Sequence, residues 1–337
     1  MLVSVLLSLV TLVFCKPPPY LKQNSIYDNL PYLIDRIQLP PDEEVTNYDT
    51  LLTEKDWPGS SLKFGQVAGV DTDKAGDVHV FHRAERAWTA ESFGYGDIYQ
   101  QRDLGPIQGD TLLVLDKESG AVKIRFGSNK FYMPHGLTID HEENMWLTDV
   151  ALHQVFKYPK GASEASFVLG KEFEPGHDDT HFCKPTDVAV ASNGVFFVAD
   201  GYCNSRVMKF SPYVTLLSSS ENSCRLTLIE SQDLLCVADR EHGSTALSLS
   251  LLLLTESSVF RAGLRNANDT GNFVVSVSDP EMAKVYAVAY DPNENLMYAV
   301  NGGFSTPHDL AVSPNGKHVY VAEIGPNRLW KLDRVKL

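Results

Sequence analysis

Three stretches of the chain share one pattern, and this internal repeat constrains the fold more than any other feature of the sequence. They read YMPHGLTIDHEENMWLTD (Tyr132–Asp149), KPTDVAVASNGVFFVAD (Lys184–Asp200) and TPHDLAVSPNGKHVYVAE (Thr306–Glu323). Each contains a proline, then His or Thr, then alternating apolar residues, a turn, a second apolar run and an acid. Alternation of this kind around Asn- and Gly-containing turns is typical of antiparallel strand pairs.

Weaker copies of the pattern lie between these stretches, at Val67–Arg83, Cys224–Arg240 and Val285–Gly302. Repeated short strands of this kind predict an all-β fold, a six-bladed β-propeller. A large β-sandwich is the alternative. No outer-strand pattern follows the fourth unit, and the fifth and sixth units lie too close together for outer strands between them. Blades 4 and 5 are therefore predicted to be truncated.

The overall composition is that of a globular chain with an acidic surface. Of the 337 residues, 43% are hydrophobic and 21% are charged, which allows a substantial core. The formal net charge is −14. This charge argues against nucleic acid and anionic membranes as partners, because phosphate binding needs clustered Lys and Arg.

The N-terminal segment MLVSVLLSLVTLVFCKPPPY has an apolar run typical of a secretory signal. The run is shorter than the roughly 20 apolar residues that span a bilayer, so a membrane anchor is the less favoured alternative. We predict a signal peptide at 1–15, an N-terminal extension at 16–60 and a propeller domain at 61–337, in a protein secreted or held in the secretory lumen. On that route the cysteines are candidates for disulfides, and Asn268, in an Asn-Asp-Thr sequon, is a predicted glycosylation site.

Several longer motifs resemble one enzyme family. The strings FYMPHGLTID, WLTDVALHQVFKY, HFCKPTDVAV, DGYCNSRVMKFSP, LCVADRE and PHDLAVS occur in the order found in peptidyl-α-hydroxyglycine α-amidating lyases, and the resemblance covers Gly65–Leu332. It implies an NHL-repeat propeller that cleaves peptidyl-α-hydroxyglycine to a peptide amide and glyoxylate, with a catalytic zinc and a structural calcium. We expect a stand-alone, monomeric lyase, supplied by a separate peptidylglycine hydroxylating monooxygenase.

Two histidines occupy the same repeat position and are predicted zinc ligands. Blades radiate from an axis, so residues at one repeat position converge there although they lie far apart in the sequence. His135 and His308 each follow the proline of their unit, and imidazole is a good zinc ligand. The family's third zinc histidine falls here on Cys224. A thiolate can replace imidazole; the alternatives are that Cys224 pairs with Cys236, or that the metal site is impaired.

The resemblance also implies which residues act on the substrate. Tyr202, in DGYCNSR, matches the tyrosine base of the family, and Arg83 and Arg240 match two arginines. A tyrosine ordinarily titrates near pH 10, so it needs positive neighbours to accept a proton at lower pH. One arginine is expected to meet this need, and either can bind the substrate's carboxylate as a bidentate pair. The family has a methionine where this chain has Thr306.

Calcium ligands and one disulfide follow from the same resemblance. The backbone carbonyls of Val70 and Leu137 and the carboxylate of Asp309 match the family's calcium ligands. All three are oxygen donors, as a hard cation requires. Cys183 and Cys203 match the family's first disulfide, which holds the tyrosine segment in place.

The second disulfide of the family is not retained. Cys236 matches one half of it, but Leu247 stands at the partner position. The sequence therefore supports two hypotheses: an active secreted lyase, or a catalytically impaired propeller that acts as a binding module. A calcium-dependent lactonase-like propeller is a more distant interpretation, which the strings DGYCNSR and FYMPHG disfavour.

Overall fold

The computed structural model describes most of the region predicted to form the propeller. The described residues are 49–204, 206–221, 304–336 and, between the last two ranges, the strands at 225–229, 234–238, 259–263, 273–279, 284–291 and 295–302. The predicted signal peptide at 1–15 lies outside the described residues, as does the predicted N-terminal extension up to residue 48.

Nearly all regular structure in the described residues is β-strand. In chain order the strands are β1 (Asp49–Thr53), β2 (Val67–Thr72), β3 (Val78–His82), β4 (Leu112–Leu115), β5 (Val122–Phe126), β6 (Pro134–Ile139), β7 (Met145–Asp149), β8 (Gln154–Tyr158), β9 (Phe167–Leu169), β10 (Asp187–Val190), β11 (Phe196–Asp200), β12 (Arg206–Phe210), β13 (Leu216–Glu221), β14 (Arg225–Ile229), β15 (Leu234–Ala238), β16 (Val259–Gly263), β17 (Phe273–Asp279), β18 (Lys284–Asp291), β19 (Asn295–Gly302), β20 (Pro307–Val312), β21 (His318–Glu323) and β22 (Arg328–Lys336). The helical segments described are short 3₁₀ turns at Pro58–Ser61, Tyr95–Asp97 and Arg102–Leu104. Within the described part of the chain, no helix has the length and apolar character needed to cross a membrane.

The strands form antiparallel sheets that each use a consecutive piece of the chain. The four-stranded sheets are β2–β5, β6–β9, β10–β13 and β16–β19, and β14 pairs with β15. A further four-stranded sheet has the order β1-β22-β21-β20, so the first described strand pairs with the last, from Asp49 opposite Lys336 to Thr53 opposite Leu332. Residues 49–53 of this sheet lie within the segment predicted as the N-terminal extension.

The first strands of the sheets form a closed circle. Each lies beside two others, in the order β2, β6, β10, β14, β16, β20 and back to β2. This is the arrangement of a β-propeller, and the predicted all-β propeller fold is confirmed. The number of blades stays a prediction, because only two strands of the β14–β15 sheet are described.

The prediction that outer strands are missing from the fifth blade is wrong. β16 and β17 precede the unit at Val285–Gly302 and complete a four-stranded sheet with β18 and β19. Since β16 lies beside β14 and β20, it is the inner strand of its sheet, and the unit taken for an inner pair is the outer pair. Apolar alternation is the same on inner and outer pairs, so the pattern could not distinguish them.

The core lies between neighbouring sheets and depends on strands buried on both faces. All residues of β3 and β4 are buried, whereas the middle of the outer strand β5 is exposed. Trp57, 2% exposed, packs on Tyr320 with ring centroids 5.7 Å apart. This contact attaches the segment after β1 to the last sheet, and burial of such large aromatic surfaces is a major source of stability.

The acid that ends each repeat has a structural role. Asp149 is fully buried; its Oδ2 accepts hydrogen bonds from the N–H groups of Tyr132 (2.7 Å) and Met133 (2.9 Å), and its Oδ1 accepts from Ala151 (2.8 Å) and Leu152 (3.0 Å). Burial raises the pKa of this carboxyl, and the backbone donors lower it. The acid thereby fixes the loop that leads into β6 and to its histidine.

In the first sheet a histidine occupies the same position. His82 is the last residue of β3, and its Nδ1 accepts hydrogen bonds from the N–H groups of Gly65 (3.2 Å) and Ala84 (3.1 Å). Burial lowers the pKa of His82 to about 4, so the imidazole is neutral near pH 7 and can act as an acceptor. A neutral ring here replaces the carboxylate of the other repeats.

Candidate active site

The structure brings the two predicted zinc histidines together at the first strands β6 and β20. The ring centroids of His135 and His308 are 5.0 Å apart and the rings are edge to face. The two residues are 1% and 6% exposed. Their shared repeat position therefore predicted their proximity correctly, although they are 173 positions apart in the sequence.

Each histidine is oriented by a backbone carbonyl of the next sheet in the circle. The Nδ1–H of His135 donates to the Thr186 carbonyl (2.9 Å), and the Nδ1–H of His308 donates to the Ala68 carbonyl (2.8 Å). A carbonyl cannot donate, so Nδ1 carries the proton and Nε2 keeps its lone pair. This is the tautomer in which Nε2 can bind a metal, and a carbonyl on the other nitrogen is the usual second partner of a zinc-bound histidine. The donor set thus fits zinc.

Thr186 occupies the repeat position at which the two histidines stand in their copies. It stands in the second of the three copies, where the first and third have histidine, and its backbone carbonyl accepts a hydrogen bond from His135. Within the described residues, no third histidine, cysteine or carboxylate lies within ligating distance of both histidines. Cys224, the predicted third ligand, lies outside the described residues.

Tyr202 lies next to this histidine pair. Its hydroxyl is 3.0 Å from His135 Nε2, and since that nitrogen is the acceptor, the phenol donates. Tyr202 lies two residues after the end of β11, in a segment held by the Cys183–Cys203 disulfide, whose Cα atoms are 5.5 Å apart. The predicted disulfide is confirmed. The buried carboxylate of Asp200 fixes the same segment by accepting from the Cys183 N–H at 2.7 Å.

Arg83 is a buried cation at the same site. It is 2% exposed; its Nε donates to the Pro134 carbonyl (3.0 Å) and its Nη1 to Gln66 Oε1 (2.6 Å). Nη2 is buried and has no hydrogen-bond partner among the described residues. Burial lowers the pKa of Arg83 to about 10, and charge interactions with Tyr202 and Asp149 raise it. The guanidinium is therefore charged at neutral pH and has one donor group to offer a ligand.

An aromatic wall borders Tyr202 and was missed by the sequence analysis. Trp88 lies in the long β3–β4 connection, with its ring 5.1 Å from that of Tyr202 and 6.2 Å from that of His135. The guanidinium carbon of Arg83 lies 5.2 Å from the Trp88 ring centroid. The length of the β3–β4 connection was the available signal, because hairpin loops are ordinarily short and long ones are often functional.

A lysine attaches this connection to the third sheet. Lys184 Nζ forms an ion pair with Asp97 (2.7 Å) and lies 4.8 Å from the ring centroid of Phe93. It also lies 5.9 Å from the ring centroid of Tyr202. The Lys184 side chain is only 11% exposed. A second cation therefore lies near Tyr202, and the sequence analysis did not single it out.

Two of the three predicted calcium ligands are in contact. The Asp309 carboxylate, 4% exposed, accepts hydrogen bonds from the N–H groups of Val70 and Leu310, each at 2.9 Å. Leu137, the third predicted ligand, lies beside β2. A Cβ atom added to Gly69, the residue before Val70, would be 2.9 Å from the Leu137 Cβ. The proposed donors are all oxygen atoms in a buried site, which fits a hard cation. That a calcium binds here stays a prediction.

Other predicted site residues fall outside the described part of the chain. Arg240, Cys224 and Asn268 are among them. Cys236 lies on β15, of which the backbone pairing is described. Thr306, in place of the family's methionine, is half-buried, and its N–H donates to Glu323 at 3.0 Å.

Comparisons with known proteins agree with the motifs and the fold. The NHL repeat family matches residues 182–210. The chain is 37% identical to peptidyl-alpha-hydroxyglycine alpha-amidating lyase 2 of Drosophila melanogaster, over 92% of this chain and 80% of that protein. It is 33% identical to a probable peptidyl-alpha-hydroxyglycine alpha-amidating lyase of Caenorhabditis elegans, over 81% of this chain and 83% of that protein.

Longer proteins and solved structures also match. Peptidyl-glycine alpha-amidating monooxygenase A of Xenopus laevis is 40% identical over 88% of this chain, which spans 34% of that protein's length. A chain of Kuenenia stuttgartiensis hydrazine synthase superposes with a TM-score of 0.52 at 7% identity, over 81% of this chain and 96% of that chain, which shows likeness of fold alone. The relatives that this chain covers over most of their length decide the family. The chain belongs to the peptidyl-α-hydroxyglycine α-amidating lyases.

Proposed function

We propose that this chain is a lyase that cleaves a peptidyl-α-hydroxyglycine into a peptide amide and glyoxylate. The reaction breaks the C–N bond, the hydroxyl proton is removed as its carbon becomes the aldehyde of glyoxylate, and the amide nitrogen gains a proton. The observation that carries the proposal is the convergence of three residues that lie far apart in the sequence of a chain of this family: Tyr202 bonds to His135, and Arg83 lies close enough to Tyr202 for a charge interaction.

Tyr202 is the proposed base. Its hydroxyl is in hydrogen-bonding contact with His135, so it lies at the site where the two imidazoles meet. The cationic Arg83 interacts with the charge of Tyr202, and a nearby positive charge is what a proton-accepting tyrosine needs. Removal of the hydroxyl proton by a positioned base contributes typically about 10²–10⁴-fold to rate.

Arg83 is also the proposed carboxylate binder. Its Nη2 is a buried donor without a partner among the described residues, and such donors are costly unless a ligand satisfies them. The carboxylate of α-hydroxyglycine is a suitable acceptor. Arg240, at the second matched position, is proposed to share this role.

The metal sites extend the proposal. His135 and His308 would hold zinc, with Cys224 as third ligand. A zinc ion bound there would polarise the substrate's hydroxyl group. Asp309, with the carbonyls of Val70 and Leu137, would hold calcium.

The cellular setting is proposed on sequence grounds. The apolar N-terminal segment supports a secretory lyase, glycosylated at Asn268. A separate peptidylglycine hydroxylating monooxygenase would make its substrate, a role supported by the relatives that carry the monooxygenase name. The −14 net charge gives no basis for nucleic acid as a partner.

The direct test is an assay of the purified protein with a synthetic α-hydroxyglycine peptide, with glyoxylate measured and bound zinc and calcium quantified. We expect Tyr202→Phe to lower kcat about 100-fold. Tyr213→Phe, at a tyrosine that is 90% exposed, is the matched control and should have wild-type activity. A wild-type protein that makes no glyoxylate and binds no zinc would contradict the proposal and favour the impaired binding module.

A second variant tests the unusual zinc position. If Cys224 is a weakened ligand, Cys224→His should raise activity and zinc affinity, because it supplies the third imidazole. An unchanged rate and unchanged zinc content would argue that position 224 is not a ligand.

A further inference from the structure

Gln66 is a half-buried residue before β2 whose hydrogen bonds connect two residues of the site. Its Oε1 accepts from Arg83 Nη1 (2.6 Å) and from the Trp88 N–H (2.7 Å). Its Nε2 donates to the Trp88 carbonyl (3.4 Å), and its own carbonyl accepts from the Arg83 N–H (3.0 Å). The donor and the acceptor of the amide are thus both directed at these two residues, which fixes its orientation.

These bonds determine where the Arg83 cation lies. The guanidinium is held at Nε by the Pro134 carbonyl and at Nη1 by Gln66, so Nη2 is the donor left without a partner among the residues that the structure describes. Arg83 is 2% exposed, and water cannot replace a lost anchor as it would at the surface. Without the Gln66 bond, the guanidinium could turn about its remaining contacts.

The same amide fixes Trp88. Both backbone polar groups of Trp88 bond to the Gln66 side chain. The indole packs on Tyr202 and beside His135, and its face lies 5.2 Å from the guanidinium carbon of Arg83. One side chain therefore sets the positions of the cation and of the ring that borders the proposed base.

The neutrality of Gln66 matters as much as its shape. A carboxylate at this position would accept the same two hydrogen bonds but would neutralise Arg83 in a low-dielectric site. It would then compete with an anionic ligand for the guanidinium. An amide holds the cation in place and leaves its charge available.

We propose that Gln66 is a positioning residue for substrate binding: it holds Arg83 and Trp88 so that the guanidinium meets the carboxylate of the substrate. This inference rests on the proposed lyase function. A purely structural role would instead predict a loss of stability without a selective loss of carboxylate binding.

The test compares Gln66→Glu and Gln66→Leu with wild type, with Gln154→Glu as control at a half-buried glutamine on β8. Gln66→Glu retains acceptors for Arg83 and the Trp88 N–H but loses the donor to the Trp88 carbonyl, so it should fold with at most a small change in melting temperature. We expect its KM for an α-hydroxyglycine peptide to rise about tenfold or more near neutral pH, the cost of one charge-assisted hydrogen bond. Because the Arg83 cation lowers the pKa of the new carboxyl, the carboxyl stays ionised, and the KM should remain raised at every pH at which the protein is folded.

Gln66→Leu should lose kcat/KM about tenfold at every pH, because it removes the anchor without adding a titrating group. Gln154→Glu should keep wild-type KM. Wild-type KM and kcat in both Gln66 variants would overturn the inference.

A binding measurement separates this inference from the proposed function. Benzoylglycine has the carboxylate but lacks the hydroxyl, and benzamide lacks both. Calorimetry should show benzoylglycine binding about tenfold more weakly to Gln66→Glu than to wild type, with benzamide unaffected. If wild type makes no glyoxylate but this difference is found, the lyase proposal fails and the role of Gln66 stands. Equal binding of benzoylglycine to both proteins would overturn the role of Gln66.

Discussion

In the sheets β2–β5 and β6–β9, the last residue of the second strand holds the loop before the inner strand. The two residues are of different chemical types. Asp149 does so as a buried carboxylate with four backbone donors, and His82 does so as a neutral imidazole with two. Burial raises the pKa of the first and lowers that of the second to about 4. One architectural role is therefore compatible with a carboxylate or with a neutral ring, provided that the side chain presents an acceptor to the backbone.

The sheet β10–β13 shows a third arrangement. Asp200 Oδ1 accepts one N–H from the preceding loop, that of Cys183, while Oδ2 accepts from Arg206 and Asn204. The Cys183–Cys203 disulfide ties the same loop covalently to the segment after β11. Where the acid gives the loop fewer hydrogen bonds, a covalent bond holds it.

The largest effect is expected at Asp149. Asp149→Asn keeps one acceptor oxygen but turns an NH₂ group toward two backbone donors, which become unsatisfied in a fully buried site. We expect a loss of about 4 kcal/mol in the free energy of unfolding, measured by urea denaturation. Asp103→Asn, at an exposed acid, is the control. A loss no greater than that of the control would show that the carboxylate is not the anchor.

The disulfide should rank second. The Cys183→Ser/Cys203→Ser double variant opens a bridge with a sequence separation of 20, so we expect a loss of about 3 kcal/mol. Because Tyr202 adjoins Cys203, kcat should fall as well. If stability falls while kcat stays at the wild-type value, the hydrogen bonds of Asp200 alone suffice to position Tyr202.

The free energy of unfolding should depend on pH through His82. The folded-state pKa of His82 is about 4, below the ordinary value of 6.5, so the unfolded chain binds more protons between these values. The contribution of neutral His82 to the free energy of unfolding is full above pH 6.5. It is lost as the pH falls toward 4, by roughly 3 kcal/mol over the interval. His82→Asn retains an acceptor without titrating, so its unfolding free energy should depend less on pH. Equal pH dependence in both proteins would refute this.

The smallest effect is expected where the β3–β4 connection meets the third sheet. Lys184→Met removes the ion pair with Asp97, whose side chain is 39% exposed and therefore partly screened. A double-mutant cycle with Asp97→Asn should give a coupling energy of about 0.5–1 kcal/mol. A coupling near zero would leave the aromatic contacts as the main attachment of this segment.

The position of a residue in its repeat predicted its neighbours in space better than its residue type did. The convergence of His135 and His308 followed from their equivalent places in two copies, because circular packing converts sequence register into spatial proximity. His82 was not recognised as an equivalent of Asp149, because an imidazole does not resemble a carboxylate in a sequence pattern. It shares only the ability to accept a hydrogen bond.

Contacts made by irregular segments could not be predicted. The roles of Gln66 and Trp88 depend on the path of the β3–β4 connection, which has no periodicity to analyse. The sequence wrongly predicted Val285–Gly302 as an inner strand pair for a different reason. Apolar and polar residues alternate in the same way in inner and outer strand pairs. Local pattern specifies that a strand forms and which face is buried, but not its distance from the axis.

The pairing of β1 with β22 has a consequence for the order of folding. The first and the last described strands form one sheet, and such a long sequence separation makes the contact slow to form. The same last sheet supplies His308 and Asp309, which bond to Ala68 and Val70 of the first. On the ribosome, the early sheets emerge without these partners, so the proposed metal sites assemble only after the final strands are synthesised. Catalytic competence would then arise in the same step that closes the ring.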